Sequence, residues 1–463
     1  MKYTENKVED VHIAYIGGGS RGWAWQFMSD LANDTVMSGE VRLYDIDMEA
    51  AKHNEIIGNK YTTHKDHKGD WLYRAVPSLQ EALTGADFVI ISILPATFKE
   101  MGSDIHAPEK YSIYQSVGDT AGPGGLMRAM RTIPMYVEIA NAIKAFCPDS
   151  WVINYTNPMT VCVRTLYTVF PQIKAFGCCH EVFGTQKLLA YMLDDMLGIK
   201  DVQRSEIKVN VLGINHFTWF DKASYKGMDL FPIYKQFVDK HYDEGVCIYQ
   251  DSNWLNSTFK SQERVKFDLF RRYGLIAAAG DRHLVEFLPP WYLKNPETVK
   301  SWMFGLTTID MRLKQLDERL ERSKRLVSGE EEVSMKPSGE EGVLLMKALL
   351  GMGDIISNVN IPNYGQIPNL PLGAVVETNA LFRCDDIAPV MAGKLPDDLC
   401  SLVIKHCLQQ ENTVKAGLTC DKELAFRAFM DDPLMTIGLN DGKELFETML
   451  HNQKDYLPGW NVK

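Results

Sequence analysis

Polar and charged residues open the chain, and the pattern turns apolar at Val11 to Ile16 (VHIAYI), a β-favouring run that stops at Gly17. From Trp23 to Leu31 the apolar positions recur at helical spacing, so the start reads strand, turn, helix. A second strand is predicted over Val41 to Tyr44, ending at Asp45. Ala86 to Ile93 (ADFVIISI) is almost wholly apolar, as a strand buried on both faces of a parallel sheet must be. Further strands are predicted at Trp151 to Asn154, Ile173 to Gly177 and Ile207 to Leu212, with helices at Met127 to Phe146 and Thr185 to Leu197. This alternation predicts an α/β fold with an N-terminal, doubly wound Rossmann-like domain over residues 1–200.

After Asn215 the rhythm changes to long amphipathic segments, such as Thr307 to Leu326 and Glu341 to Met352, with β-like pieces such as Val375 to Phe382. A C-terminal α+β domain over residues 201–463 is expected. Ser328 to Gly342 (SGEEEVSMKPSGEEG) is acidic and broken by Pro and Gly, and reads as a mobile, solvated loop.

The 463 residues are 45% hydrophobic and 24% charged, the composition of a globular protein long enough for two or three domains. The net charge of −11 repels phosphate backbones and anionic lipid surfaces, so nucleic acid is not expected as a partner. Phe88 to Leu94, the longest apolar stretch, falls far short of the roughly 18 residues of a membrane helix. The first residues, MKYTENKVED, lack the apolar core of a secretory signal, so a cytoplasmic protein is expected. Nine cysteines, an odd number without the dense spacing of a disulfide scaffold, read as reduced thiols.

Gly17, Gly19 and Gly22 in GGGSRG, with Ser20 inside the loop, fit G-x-G-x-x-G directly after a strand and at the opening of a helix. Small residues there let backbone amides approach a pyrophosphate. Asp45, ending the next strand, stands where a carboxylate accepts from a ribose 2′-hydroxyl, which favours NAD over NADP; Arg21 and Arg42 are the features that would suit a 2′-phosphate.

Cys178-Cys179-His180-Glu181 follows one predicted strand and Gly213-Ile214-Asn215-His216 follows the next, so both stretches fall where ligands gather in such sheets. A thiolate and an imidazole together suit a divalent transition metal; the blander reading is a buried cysteine pair and a satisfied histidine. Asp119 in SVGDTAGPGG and Asp281 in AAAGDRHLVEFLPPW lie on turns, where a carboxylate is either a cap or, on convergence with a cofactor, an acid or base.

Taken in order, YIGGGSRGW, LYDID, VGDTAGPGG with MRAMRTIP, NYTNPM, GCCHEVFG, GINHFTWF and GDRHLVEFLPPW resemble glycoside hydrolase family four, the NAD- and manganese-dependent glycosidases. The similarity runs over nearly the whole chain and is greatest to the α-galacturonidase and α-galactosidase subgroup. It implies a fold related to lactate and malate dehydrogenases, NAD and Mn²⁺ as cofactors, and Cys179 and His216 as metal ligands, with Cys178 an extra thiol. It also places Asn157 and Asn215 against the sugar, Asp119 near the metal and the glycosidic oxygen, and Asp281 as a base. His180 stands where phospho-sugar members carry their acid, so the proton donor is His180 or Asp119. The implied chemistry is glycoside cleavage by transient oxidation at C3, elimination, water addition and re-reduction. A C6 carboxylate on the sugar would need a cationic partner, for which Arg282 is best placed, with Arg128 and Arg131 as alternatives. The expected partner is a small glycoside, and the expected assembly a homo-oligomer, dimer or tetramer. The competing readings are a conventional NAD-dependent dehydrogenase and an NAD-binding protein without turnover.

Overall fold

The apolar run at Val11 lies within the strand Val8–Ile16, which becomes the centre of a parallel sheet in the computed structural model, where residues 1–248, 261–460 and 462 are described. Met37–Tyr44 pairs with it on one side and Phe88–Ile91 on the other; Trp71–Ala75 lies beyond the first, Trp151–Asn154 and Lys174–Gly177 beyond the second. Numbered along the chain, these strands run 3-2-1-4-5-6 in space, the doubly wound order whose reversal opens a crevice at the carboxyl ends of the first and fourth strands. Every residue of Phe88–Ile91 is buried, which is why its sequence is apolar without alternation.

The sheet does not end with this module. Gly177 pairs antiparallel with Asn360 of the strand Ile355–Pro362, and Val375–Arg383 and Asp386–Pro389 follow; with Lys2–Tyr3 paired to Val8–Ile16, the sheet has ten strands among the described residues. Ile207–Ile214 leaves that sheet and forms an antiparallel hairpin with Phe217–Tyr225 in a second sheet of four strands. The two-residue connection Asn215-His216 permits nothing else, because a parallel crossover needs a dozen residues or more.

Ser328–Gly342 departs from the expectation of a mobile loop, for it lies along the first helix, Trp23–Asn33. Ser29 Oγ reaches the carbonyls of Ser334 and Lys336 at 3.0 and 2.9 Å, Asn33 donates to the Met335 carbonyl at 2.8 Å, and Asp30 accepts from the Ser338 amide at 2.8 Å. The loop's backbone thus finds its partners in the helix, and Val333 is buried beneath it. Among the described residues no helix is long and apolar enough to cross a membrane.

Candidate active site

The glycine loop is built so that only glycine fits. Gly17 has φ +89°, and a Cβ there would stand 2.1 Å from the Ser92 carbonyl oxygen; one on Gly19 would stand 2.9 Å from Asp45 Oδ2. Asp45 accepts the Gly19 amide at 2.8 Å, and burial pushes its carboxyl up from the ordinary range. The helix Trp23–Asn33 that follows Gly22 has no side-chain cap, so its first amides stay open to a pyrophosphate. Arg21 lies 3.6 Å from Asp47, and Arg42 donates to Glu40 at 2.8 Å and to the Thr84 carbonyl at 2.6 Å, so both cations already have partners. Asn54, which the sequence pattern did not single out, braces the loop: its amide donates to the Gly18 and Ser20 carbonyls and its oxygen accepts from Trp25.

A second constellation forms where three distant segments meet. Ligand atoms of Asp119, His216 and His283 all lie within 4.8 Å of one another. Asp119 comes from the loop before the helix Gly122–Phe146, His216 from the hairpin turn and His283 from the short helix Asp281–Leu284. His216 sits at φ +64°, a left-handed conformation that costs a non-glycine residue about 1–2 kcal/mol, and its presence there points to a demand on the imidazole itself. Burial, then the neighbouring His283, pushes His216 down to about 3, so it is neutral. Burial opposes ionisation of Asp119, but Arg128, His283, His216 and Arg312 outweigh it and hold the carboxyl below its ordinary range.

These protonation states fix the hydrogens. Ionised Asp119 only accepts, so the Thr120 hydroxyl donates to its Oδ1 at 2.8 Å. The same hydroxyl has no hydrogen left for His216 Nδ1, 3.2 Å away, so the ring nitrogen donates and Nε2 carries the lone pair. An oxygen anion and a neutral imidazole, both desolvated, form a donor set that fits a divalent cation. His283 stacks on His216 with centroids 3.8 Å apart, and its Nδ1 stands 3.3 Å from Glu181. Burial pulls His283 down, but Glu181 and Asp119 hold it above its usual value; burial likewise opposes Glu181, whose carboxyl His283, His216 and His180 keep far below.

The remaining expected residues divide. The Cys179 thiol lies outside the three-residue group, faces Asn215, and is pushed well up by burial and by the fields of Glu377 and Glu181. Cys178 faces Tyr155 instead. Asn215 donates to Glu377 at 3.2 Å and leaves its Oδ1 buried without a partner; Asn157 Oδ1 is buried and unpartnered too. The His180 ring packs 5.7 Å from Trp23, the first residue of the dinucleotide helix, with Glu181 and Glu340 at 4.0 and 3.7 Å. Asp281 is placed away from this group: its oxygens accept the amides of Val265 and Lys266 at 3.2 and 3.1 Å, at the start of the helix Arg264–Tyr273. Burial, with Glu263, pushes it up to about 7.

The three arginines differ. Arg131 is spent on Asp104, bonded at 3.0 and 2.5 Å, and Arg128 donates to the Asn157 carbonyl at 2.9 Å. Arg282 donates to Thr307 Oγ1 at 2.9 Å, and its Nε is buried without a partner. His283, Glu181, Glu377 and Glu340 were not chosen from sequence, although DRH and CHE contain two of them; nothing local marks His283 as facing His216.

Residues 12–195 match the profile of the family 4 glycosyl hydrolases, and residues 211–435 that of the family 4 glycosyl hydrolase C-terminal domain. The chain is 64% identical over 464 residues, covering 100% of both, to an α-galacturonidase of Thermoanaerobacterium saccharolyticum. It is 52% identical, with a TM-score of 0.91, to a crystal structure of a Bacillus subtilis protein described as a glucosidase, covering 96% of this chain and 100% of that one. The fold is also that of a 6-phospho-α-glucosidase from gut microorganisms solved with NAD and Mn²⁺, at 18% identity and a TM-score of 0.80 over 98% of this chain and 100% of that one.

Proposed function

The chain belongs to the family 4 glycosyl hydrolases, and from that membership we propose that it is an NAD- and Mn²⁺-dependent α-galacturonidase, releasing galacturonic acid from small α-galacturonides. The observation that carries this reading is the Asp119, His216 and His283 group beside Arg282, a half-buried cation that pairs with no carboxylate among the described residues. Cleavage follows the sequence of oxidation at C3, elimination, water addition and re-reduction. When bound, NAD supplies a reversible hydride acceptor and the metal a Lewis acid for the sugar oxygens.

The chain's own residues supply the rest. The open amides at Gly17 to Gly22 bind the pyrophosphate and Asp45 the adenosine ribose. His216 and, from outside the three-residue group, Cys179 would hold the metal, with Asp119 beside them. The unpartnered oxygens of Asn157 and Asn215 accept hydrogens from sugar hydroxyls. The donor to the departing oxygen is His180, which lies between Glu181 and Glu340, or Asp119. The nine cysteines are all free, as a reducing cytoplasm would leave them. Exposed Tyr364, Leu372 and Met391 support a homo-oligomer.

The test is a panel of nitrophenyl α-glycosides and galacturonide oligomers, assayed with NAD⁺ and Mn²⁺ each supplied or withheld. Cleavage of galacturonides only with both present is expected; net accumulation of NADH would instead identify a conventional dehydrogenase. Asp45→Ala is expected to raise the Kd for NAD⁺ about tenfold and to lessen the preference over NADP⁺, since it removes one charge-assisted hydrogen bond and the repulsion of a 2′-phosphate. Fluorescence titration with both dinucleotides checks this, and unchanged selectivity would assign the ribose to another residue.

A further inference from the structure

Arg312, on the helix Ile309–Ser328, approaches the loop that carries Asp119, where its Nη2 donates to the Val117 carbonyl at 2.9 Å. Its Nε, like that of Arg282, is buried and has no partner. Arg282 is tied to the same loop from the other side, its carbonyl accepting from Ser116 Oγ while its guanidinium bonds Thr307. Burial lowers Arg282 to about 10, with the charge of Arg312 adding to the effect.

We propose that Arg312 and Arg282 form a two-arginine clamp for the C6 carboxylate of the substrate, with Arg312 a specificity-determining residue; this rests on the reading of the enzyme as an α-galacturonidase. Two like charges tied to one loop in a desolvated place call for an anion at contact distance, and the fields of Asp119 and Glu286 reach Arg312 only from further off. Among the described residues no carboxylate reaches ion-pair distance of either guanidinium, whereas buried Arg131 is fully matched by Asp104. The nearby acids lie outside contact with the guanidiniums: Asp119 accepts from Thr120, and Glu286 Oε1 accepts the amides of Val117 and Gly118 at 2.7 and 2.9 Å, while its Oε2 is buried without a partner. Each free Nε–H is a donor in the planar fork that matches a carboxylate.

The clamp is also in the right place. Arg282 adjoins His283, and Arg312 bonds a residue two positions from Asp119, so an anion between them lies beside the proposed metal group. A neutral hydroxymethyl group would leave both cations uncompensated, so the same pair that attracts a uronate rejects the plain hexose.

The experiment compares kcat/KM of wild type, Arg312→Gln and Arg312→Lys on a nitrophenyl α-galacturonide and the matching α-galactoside with NAD⁺ and Mn²⁺ present, and titrates free galacturonate and galactose by calorimetry. Arg312→Gln is expected to lose roughly thirtyfold or more on the galacturonide, mainly through KM, with no loss or a gain on the galactoside. Galacturonate binding weakens in step and galactose binding does not. Should the Gln variant fail to fold, Arg312→Lys, which keeps the charge without the fork, is expected to show a smaller selective loss. Equal losses on both sugars, or unaltered galacturonate affinity in a folded variant, overturn the clamp while leaving a galacturonide-preferring enzyme. A wild type that prefers the galactoside overturns the α-galacturonidase reading and the clamp with it.

Discussion

Cys179→Ser and His216→Ala each remove Mn²⁺-dependent turnover, by roughly a hundredfold or more, while NAD⁺ affinity stays close to wild type. The separation follows from the fold. His216 sits on the hairpin between Ile207–Ile214 and Phe217–Tyr225, and Cys179 follows the edge of the parallel module, whereas the glycine loop is held by Asp45 and Asn54. Losing the imidazole leaves Thr120 and Asp119 without a neutral partner and vacates a position whose left-handed backbone favours few residues. The thiol is the more sensitive probe. Burial and two carboxylates hold it far above its ordinary value, so it keeps its proton until a cation arrives, and Mn²⁺ binding releases that proton. Manganese titration followed by proton release, and NAD⁺ titration by fluorescence, separate the two sites. Full activity in either variant would remove that residue from the metal site.

Arg282→Ala discriminates between substrates: about 2–4 kcal/mol of transition-state stabilisation is lost on an α-galacturonide, between about thirtyfold and a thousandfold in kcat/KM, and far less on an α-galactoside. The magnitude is that of a buried charge pair from which one partner is removed, leaving the substrate carboxylate desolvated and uncompensated. The alternative, in which Arg282 serves only to pair with an acid on a surface turn, finds no support in its surroundings, since its contacts are a threonine hydroxyl and an open Nε. Parallel kinetics on the two sugars check it. Equal losses would make Arg282 a brace for Thr307 and move the carboxylate site elsewhere.

Much of the N-terminal half was legible because its signals are local. An apolar run without alternation, a glycine triplet after a strand and an acid at the next strand's end each depend on a few adjacent residues, and Phe88–Ile91, Gly17 and Asp45 are where those signals put them. Later elements were legible in the same way: the helix read from Thr307 to Leu326 forms as Ile309–Ser328, and the strand read from Val375 to Phe382 forms as Val375–Arg383. Composition misled at Ser328–Gly342, where charge and glycine mimic a free loop; the helix it lies on is some 300 residues earlier, and no local pattern encodes that partner.

The sequence by itself determined the elements, the dinucleotide loop and the residue types that the chemistry needs. Only the tertiary structure decided which of them meet. Asp281 and His283 are two residues apart on one short helix, yet one carboxylate caps the helix Arg264–Tyr273 and the neighbouring imidazole stacks on His216. Glu181 reaches the Gly280 amide across 99 residues, and Glu377 comes to Asn215 from a strand added to the far edge of the sheet. Such pairings are set by packing and by the need of each desolvated polar group for a partner, which act through space between segments that carry no mark of one another along the chain.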